Sequence, residues 1–324
     1  MESATTTTRP VETGQLESGN VRRPARAPRE RPAAASHSWV DTARDYVALT
    51  KPRIISLLLL TTVATMFAAD PSGPSVSLVL WTMLGGYLAA GGAGAINHYI
   101  DRERDARMGR TKSRPLVTGR IEPIHGLTFG IVLGVLATLQ LTLTVNLLAA
   151  VLALTGLLGY VFVYTVWLKP LTPQNIVIGG AAGAVPPLVG WAAATGGLAI
   201  EALYPFGIVF LWTPPHFWAL SLLIKDDYAR TGVPMLPVVK GEAATRRQIL
   251  LYSVAMVAFT LMPVATGFLG GLYAAAAATL GAAFVFLAVR LLRDPSRPAA
   301  LRLYLSSLAY LALLFCAMAA DRAV

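Results

Sequence analysis

The sequence predicts an all-α membrane protein with about nine transmembrane helices. Hydrophobic residues make up 55% of the 324 residues and charged residues only 14%, whereas soluble domains average about 25% charged residues. Apolar runs recur from residue 53 to residue 320, and no polar segment between them is long enough to form a separate domain. These runs must be helical, because backbone groups in lipid have to be hydrogen-bonded within their own segment or in a closed barrel.

The apolar runs divide into nine candidate spans, each close to the roughly 20 residues that cross a bilayer. The division is least marked between the third and fourth spans, where Thr142 to Asn146 forms the break. The spans are predicted at about residues 53–70, 76–98, 124–144, 146–167, 176–196, 203–224, 248–268, 271–291 and 300–319.

Residues 1–45 are predicted to form a disordered basic cytoplasmic tail, and residues 46–324 the membrane domain. The tail is rich in Thr, Pro, Arg, Ala and Ser and has no apolar run, so it cannot bury enough surface to offset the entropy of ordering. It lacks the apolar core of a signal peptide, and its glutamates count against a mitochondrial transit peptide. We therefore expect a bacterial inner (plasma) membrane, with the mitochondrial inner membrane as the alternative.

Lys and Arg residues are distributed unevenly over the predicted loops. With nine spans the termini lie on opposite sides, and all of the 27 Lys and Arg residues except Arg322 fall on the side of the N-terminus. Because cytoplasmic loops carry an excess of Lys and Arg, this asymmetry predicts a cytoplasmic N-terminus. It also accounts for the net charge of +10 without nucleic acid as a partner.

A polar stripe closes the second span. Asn97, Asp101 and Asp105 are spaced four residues apart, so they share one helix face about two turns long. Acids that continue a membrane helix are costly unless something compensates for them. Magnesium suits the stripe, since it is usually held by one or two carboxylates together with substrate phosphates. The alternative is a solvated helix end whose acids form surface salt bridges with Arg102, Arg104 and Arg107.

A second acidic segment, from Lys225 to Arg230 with Asp226 and Asp227, closes the sixth span on the same side of the membrane. Two acid-bearing helix ends that face one compartment could hold a metal diphosphate between them. The second segment therefore favours the magnesium interpretation over the surface salt bridges.

Basic residues surround both acidic segments, and their charges suit a departing diphosphate. Arg114, in the rigid context Ser113-Arg114-Pro115, is predicted to be functional, whereas Arg120, Arg246 and Arg247 are predicted to serve membrane topology only. The remaining candidates follow the first segment or flank the second: Arg110, Lys112, Lys225 and Arg230.

Two histidines lie near these motifs. His216 precedes Asp227 by eleven residues, about three turns, so a regular helix would place both on one face. His98 adjoins the first motif but points about 100° away from Asn97. For each histidine, a hydrogen-bonded packing role is the alternative to ligand binding.

Several further motifs support a resemblance that covers nearly all of residues 47–320. Together they resemble the UbiA-type intramembrane prenyltransferases, and within that family the branch that acts on heme. The motifs are Leu49-Thr50-Lys51-Pro52-Arg53, Asn97 to Asp105, Arg110 to Leu116, Leu168 to Asn175, Gly179 to Trp191, Pro215-His216-Phe217-Trp218, Asp226-Asp227-Tyr228 and Gly232 to Pro237.

The resemblance implies a nine-helix fold with a central cavity that opens to lipid and is capped by cytoplasmic loops. It implies an enzyme that joins farnesyl diphosphate to a vinyl group of heme B, adds water and releases diphosphate, giving heme O. Mg²⁺ would be the cofactor, heme B and farnesyl diphosphate the substrates, and the bilayer the surroundings. The product would pass to a heme O oxidising enzyme or to terminal oxidase assembly.

Under this resemblance each candidate residue receives a role. The catalytic residues would be Asp101, Asp105, Arg114 and Lys225, and the metal ligands Asn97, Asp101, Asp105 and Asp227. The substrate would be bound by Asn97, Lys51, Arg53, Lys169, Asp226, Asp227, Tyr164, His216 and His98, with His216 or else His98 at the heme iron. The allylic cation would be sheltered by the rings of Tyr160, Tyr164, Trp212 and Trp218.

Some alternatives stay open. Asp226 and Asp227 are adjacent, whereas many relatives space these acids along the helix. The pair could therefore bind a second magnesium directly, or one of the two could bind it through water or fix a cation. A related enzyme acting on an aromatic quinone precursor would use the same metal chemistry. A multi-span transporter or a structural assembly factor would belong to other functional classes, but transporters tend to carry acids near the midplane of the membrane.

Overall fold

The computed structural model describes residues 2–5 and 38–323, and within these residues every regular element is a helix. Nine of the described helices are long and apolar enough to cross a membrane, which agrees with the predicted number and order. The principal helices are α1 (Trp39–Thr50), α2 (Pro52–Ala69), α3 (Val76–Asp105), α4 (Pro123–Thr144), α5 (Leu147–Leu158), α6 (Asn175–Thr195), α7 (Leu203–Leu223), α8 (Lys225–Thr231), α9 (Gly241–Thr260), α10 (Gly271–Arg293) and α11 (Arg297–Ala323).

Shorter helical segments connect or extend these elements. A π-helix at Gly159–Leu168 continues α5. The others are Pro115–Thr118, Lys169–Leu171, the 3₁₀ turn Ile200–Ala202, Leu236–Val239 and Met262–Ala265.

The described membrane unit begins with a helix. The chain from Trp39 onward forms one compact unit, and α1 starts at Trp39. The predicted domain boundary at residue 46 stays a prediction. The predicted disorder of the tail falls mostly on residues 6–37, which lie outside the described residues.

The break predicted between the third and fourth spans is confirmed. α4 ends at Thr144, and Asn146 caps α5 by accepting a hydrogen bond from the backbone N–H of Ala149 at 2.8 Å. The Asn146 amide also donates to the carbonyl oxygen of Ala192, at 2.8 Å. A single polar residue at the break thus caps the start of α5 and links it to α6.

Two apolar clusters form the bundle. One contains residues of α7, α9, α10 and α11, and the other contains residues of α3, α4 and α5. Helices α2 and α6 contribute residues to both clusters and so join the two halves.

Helix α3 carries the first acidic motif. It continues without interruption through Asp105, beyond the predicted span of residues 76–98, so the motif is helical as its four-residue spacing predicts. It packs very closely on α4, where a Cβ at Gly92 would lie 2.7 Å from the carbonyl oxygen of Gly130. Glycine at this position therefore allows a backbone contact that fixes the motif relative to the bundle.

Helix α7 does not continue into the second acidic segment. It ends at Leu223, Ile224 leaves the helical region with φ −125° and ψ 28°, and α8 begins at Lys225. The regular helix assumed in relating His216 to Asp227 is therefore absent, and the predicted shared face is wrong.

Candidate active site

The stripe of Asn97, Asp101 and Asp105 is buried inside the bundle. The three residues are only 4%, 2% and 4% exposed, respectively. A buried carboxylate is unstable unless charged or hydrogen-bonding groups compensate for its lost hydration. The alternative of surface salt bridges at a solvated helix end is therefore wrong, and the shortest ion pairs of these acids are with basic residues outside the motif.

Asp101 and Asp105 are each paired with a basic residue distant in sequence or outside the helix. Lys169 donates to Asp101 Oδ2 at 2.5 Å, and Arg114 donates to Asp105 Oδ2 at 2.5 Å. Of the arginines on the motif itself, Arg104 makes a longer contact of 3.3 Å with Asp101 Oδ1. The two predicted phosphate ligands Arg114 and Lys169 are thus placed at the acids.

Asn97 is the first residue of the stripe, and both its amide nitrogen and its amide oxygen are hydrogen-bonded. Its Nδ2 donates to Asp101 Oδ2 at 2.8 Å and to Thr165 Oγ1 at 3.2 Å. Its Oδ1 accepts a hydrogen bond from Lys51 Nζ at 2.6 Å. Thr165 was not singled out in the sequence, yet it positions a predicted metal ligand.

Thr165 and Lys169 reach α3 from the π-helix. In this segment hydrogen bonds run from residue i to residue i−5, as shown by the Lys169 N–H, which donates to the carbonyl oxygen of Tyr164. The Thr165 hydroxyl likewise donates to the carbonyl oxygen of Tyr160, at 2.9 Å. The wider winding changes the faces on which the following residues lie, and π-helical segments of this kind are frequent at functional sites.

Lys51 occupies a strained position beside the stripe. It joins α1 to α2 with φ 59°, the only positive φ at a non-glycine position in the described part of the chain. Burial, together with the nearby charges of Arg114 and Lys169, lowers the pKa of Lys51 to about 7. An anion bound beside these three residues would favour the charged form of Lys51.

The second acidic segment meets the first motif, as predicted. The carboxylate of Asp227 accepts a hydrogen bond from the backbone N–H of Gly109 at 3.3 Å, and it pairs with Arg230. Although its desolvation opposes the shift, hydrogen bonds from the backbone of Gly109 and Arg110 and from Arg230 lower the pKa of Asp227. Asp227 therefore links the two loops as an anion.

A small apolar cluster packs the two loops together. Tyr228 is only 6% exposed and packs with Met108, Ile176, Val233 and Met235. Burial raises the pKa of the Tyr228 hydroxyl. Residues of both acidic loops thus share one apolar cap, which holds the loops at the same end of the bundle.

Lys225, Arg53 and Asp226 are among the predicted site residues that make no contact with the stripe. Lys225 donates to Glu242 at 2.7 Å, and this hydrogen bond raises the pKa of Lys225. Arg53 and Asp226 are exposed. Lys225 therefore pairs with the seventh span, and its role at the diphosphate stays a prediction.

His216 lies on α7 and packs against α11. Its ring stacks on Trp212 with centroids 4.2 Å apart and lies 4.9 Å from the ring of Tyr304. Its Nδ1 is 2.6 Å from Ser307 Oγ, and the Ser307 hydroxyl donates to the carbonyl oxygen of Tyr304 at 2.6 Å.

The Ser307 contacts determine the tautomer of His216. A serine hydroxyl has one proton, which Ser307 gives to Tyr304, so its oxygen must accept from His216 Nδ1–H. The lone pair of neutral imidazole then lies on Nε2. Ser307, which sequence reasoning missed, leaves His216 with a nitrogen suited to bind a metal.

His98 differs from His216 in its hydrogen bonding. It is 4% exposed, and neither ring nitrogen has a hydrogen-bond partner within residues 38–323. A metal-binding histidine usually has its other ring nitrogen fixed by a hydrogen bond. The geometry therefore favours His216 over His98 as a metal ligand.

The four predicted aromatic residues fall into two groups. Tyr160 and Tyr164 stack with centroids 5.4 Å apart in the π-helix, and Lys51 Nζ lies 5.9 Å from the Tyr160 ring. Trp212 instead donates to the carbonyl oxygen of Ser307, and Trp218 is buried against Tyr252. Only the two tyrosines therefore lie beside the acidic stripe.

The donor set of the stripe fits magnesium combined with a phosphate ligand. Asn97, Asp101 and Asp105 offer an amide oxygen and two carboxylates, which are hard oxygen donors. Within the described residues no group of three or more His, Cys, Asp or Glu side chains could hold a metal by itself. Magnesium does not require one, because it is commonly held by one or two carboxylates together with substrate phosphates and water.

Replacing Thr165 by Val is expected to lower kcat/KM about fivefold, since an Asn97 N–H would lose a hydrogen bond worth about 1 kcal/mol. The measurement is the rate of the catalysed reaction as a function of Mg²⁺ concentration, with a higher Mg²⁺ requirement expected. Thr155→Val is the matched control, because Thr155 lies in the same span but is exposed and bonds only to Val151. Equal kinetics for the two variants would contradict the positioning role of Thr165.

Comparisons with known proteins identify the family. The sequence model of the UbiA prenyltransferase family matches residues 58–315. The chain is 56% identical over 281 residues to a protein named protoheme IX farnesyltransferase from Roseiflexus sp. (strain RS-1), covering 87% of this chain and 53% of that protein. It is 54% identical over 280 residues to a protein of the same name from Symbiobacterium thermophilum, covering 86% of this chain and 94% of that protein.

The fold is also found in a solved structure of a UbiA homolog from Archaeoglobus fulgidus bound to GPP and Mg²⁺. The TM-score is 0.63 at 15% identity, covering 85% of this chain and 99% of the other. The chain spans about half the length of the Roseiflexus relative and nearly the full length of the Symbiobacterium one. The family match covers most of the membrane unit, and the chain belongs to the UbiA prenyltransferase family.

Proposed function

We propose that this chain transfers a farnesyl group from farnesyl diphosphate to a vinyl group of heme B, with addition of water, giving heme O and diphosphate. The observation that carries the proposal is the buried stripe of Asn97, Asp101 and Asp105 with Lys51, Arg114 and Lys169 on it. The names of relatives that are more than 50% identical supply the acceptor.

The basic residues are arranged to bind the diphosphate. Lys169 and Arg114 form ion pairs with the acids, so a metal at the carboxylates would leave both cations to phosphate oxygens. Magnesium, when bound, supplies positive charge that neutralises the diphosphate. Support for magnesium comes from the donor set and from the related structure described with GPP and Mg²⁺.

The same cations favour departure of the diphosphate. As the bond between the farnesyl C1 and oxygen breaks, negative charge grows on the diphosphate, and Lys51, Lys169 and Arg114 stabilise it without reorganising. The π electrons of the heme vinyl group form the new carbon–carbon bond to farnesyl C1, which leaves a carbocation beside the porphyrin. Water adds to that carbon and releases one proton, giving the hydroxyethyl group. The stacked rings of Tyr160 and Tyr164 present π faces that stabilise a nearby cation.

His216 is the residue that we assign to heme iron. Support for this role comes from its Nε2 lone pair, fixed by Ser307, and from the absence of any hydrogen bond to Nε2 among the described residues. Neutral imidazole is a normal axial ligand of heme. An axial bond would hold the porphyrin while its vinyl group reacts.

Replacing Ser307 by Ala is expected to weaken heme binding about 10- to 100-fold, the usual effect of removing a group that orients a metal ligand. Ser307→Thr keeps the hydroxyl and is expected to restore most of the affinity. Heme titration followed by absorption measures both the affinity and the axial ligation. If Ser307→Ala kept the wild-type spectrum and affinity, the tautomer would not depend on this hydroxyl.

The proposed reaction is tested with purified full-length chain in lipid nanodiscs. Farnesyl diphosphate and heme B with Mg²⁺ should give a product whose mass equals heme B plus a farnesyl group and a hydroxyl group, together with one diphosphate per product. A hydroxybenzoate acceptor tests the quinone-precursor alternative, and a mixture of prenyl diphosphates tests chain length. Prenylation of the hydroxybenzoate alone, or ion uptake without diphosphate release, would overturn the proposal.

We also infer the setting in which this enzyme works. The asymmetry of Lys and Arg supports a bacterial plasma membrane with the acidic loops on the cytoplasmic face. The product, a heme with a hydroxyethylfarnesyl group, would be consumed by a heme O oxidising enzyme or by assembly of a terminal oxidase. Protease accessibility of tags at the two termini in oriented vesicles checks the orientation.

A further inference from the structure

A polar cavity lies away from the acidic stripe, among the ends of four membrane helices. It has a volume of about 180 Å³, far more than the roughly 10–15 Å³ that one water molecule requires. None of the residues of the stripe or of its basic partners lines it. The lining includes Leu222 and Leu223 of α7, Glu242 and Arg246 of α9, and Ser296 and Arg297 beside α11.

Arg246 lacks adequate partners in this cavity. Its side chain is only 14% exposed, and its one ion pair, to Glu242, is long at 3.5 Å. Its Nε is buried and has no hydrogen-bond partner among residues 38–323. Because a guanidinium has five N–H donors and buried donors are normally satisfied, Arg246 has unused capacity to bind an anion.

Arg297 adds a second cation to the same cavity. One of its N–H groups donates to the carbonyl oxygen of Leu223 at 2.8 Å, which fixes the guanidinium at the C-terminal end of α7. No carboxylate pairs with Arg297 within residues 38–323, so it remains available as a cation. Two arginines thus line one cavity, and one of them is anchored by the backbone.

The acids near the cavity are already engaged. Glu242 makes its shorter contact, 2.7 Å, with Lys225 rather than with Arg246. Asp294 accepts a hydrogen bond from the backbone N–H of Ser296 at 3.1 Å. Arg246, Arg297 and Lys225 outnumber the carboxylates of Glu242 and Asp294 by one, so the local charge is positive.

An apolar surface continues from the cavity along α11. Arg297, Leu301 and Leu305 are spaced four residues apart and so lie on one helix face. Leu301 is 44% exposed and Leu305 53% exposed. A ligand with a charged head at Arg297 and an apolar chain along these leucines would match both parts of the surface.

We propose that this cavity binds the phosphate of an anionic phospholipid, with an acyl chain on the Leu301 and Leu305 face of α11. Basic pockets between transmembrane helices at headgroup level are suited to such lipids. Arginine suits phosphate because its planar N–H groups bind two phosphate oxygens at once. The site is separate from the prenyl-transfer site, and its ligand is neither a substrate nor a product of the proposed reaction.

The test is native mass spectrometry of the full-length chain titrated with phosphatidylglycerol and with phosphatidylcholine. The double variant Arg246→Gln/Arg297→Gln is expected to bind phosphatidylglycerol about 25-fold more weakly, since each Arg contributes about 1 kcal/mol. The control is Arg247→Gln/Arg302→Gln, which removes the same charge outside the cavity and is expected to leave the affinity within about twofold. Arg297→Gln alone, at an exposed position where folding is not at risk, is expected to cause about a fivefold loss.

Three results would overturn this assignment. The first is equal binding of phosphatidylglycerol by the cavity variant and the control variant. The second is equal binding of phosphatidylcholine and phosphatidylglycerol by the wild-type chain. The third is displacement of phosphatidylglycerol by inorganic phosphate at the same concentration, which would make phosphate alone the ligand.

Discussion

Replacing Asp101 by Asn is expected to lower kcat for prenyl transfer at least about 100-fold, equivalent to roughly 2.7 kcal/mol of transition-state stabilisation. The substitution keeps the shape of the side chain but removes a charge from the centre of the stripe. Asp101 contacts Asn97 and Lys169, so its carboxylate also positions a proposed metal ligand and a proposed diphosphate ligand. The measurement is single-turnover formation of prenylated heme over a range of Mg²⁺ concentrations.

The matched control for Asp101 lies two residues further along the same helix. Glu103 is 83% exposed and pairs only with Arg102, at 3.5 Å, so Glu103→Gln removes one negative charge without touching the stripe. Its kcat is expected to stay within about twofold of wild type.

Stability has to be measured beside activity in this comparison. Losing the carboxylate leaves the buried ammonium of Lys169, 15% exposed, without its partner, so the variant should also unfold at lower temperature. Asp101→Asn/Lys169→Met removes both charges and should recover stability but not activity. If the double variant regained wild-type activity, Asp101 would act only as the partner of Lys169.

The fold and the stripe could be predicted because both follow from local periodicity. Spans of about 20 apolar residues are forced to be helical in lipid, and acids four apart share a helix face whatever surrounds them. The asymmetry of Lys and Arg also placed the two acidic segments on one side, and the contact of Asp227 with Gly109 brings them together.

The partners of the stripe were harder to predict because they depend on departures from regular helix geometry. Thr165 reaches Asn97 only because the span changes to a π-helix, and no residue type marks that change. A threonine in an apolar span ordinarily bonds to the carbonyl four residues earlier, as Thr155 does with Val151. Nothing in the sequence therefore indicated that Thr165 differs from Thr155.

The errors around the sixth span share a similar cause. Its helix ends at Leu223 and Ile224, where no glycine or proline signals a break, so the eleven-residue spacing from His216 to Asp227 was misleading. Lys225 donates to Glu242, seventeen residues away. This contact was not predicted, because Lys225 is adjacent in sequence to Asp226. The partner of His216, Ser307, lies 91 residues away on the last span.

Replacing His216 by Gly is expected to weaken heme binding at least about 100-fold and to abolish the absorption signature of histidine ligation. The ring lies between Trp212 and Tyr304, so removing it leaves a slot with aromatic walls close to the size of imidazole. Added imidazole should enter that slot, bind the iron and restore part of both the spectrum and the activity.

Rescue by imidazole distinguishes ligation from packing. A histidine needed only to fill space between α7 and α11 could be replaced by a larger apolar side chain, so His216→Leu would then retain heme binding. An iron ligand cannot be replaced in that way, and His216→Leu should bind heme as poorly as His216→Gly and resist rescue. His125→Ala, at a position 63% exposed outside the site, is the control and should match wild type. Retention of histidine-type ligation in both His216 variants would instead assign the iron to His98, whose two ring nitrogens have no hydrogen-bond partner in the described residues.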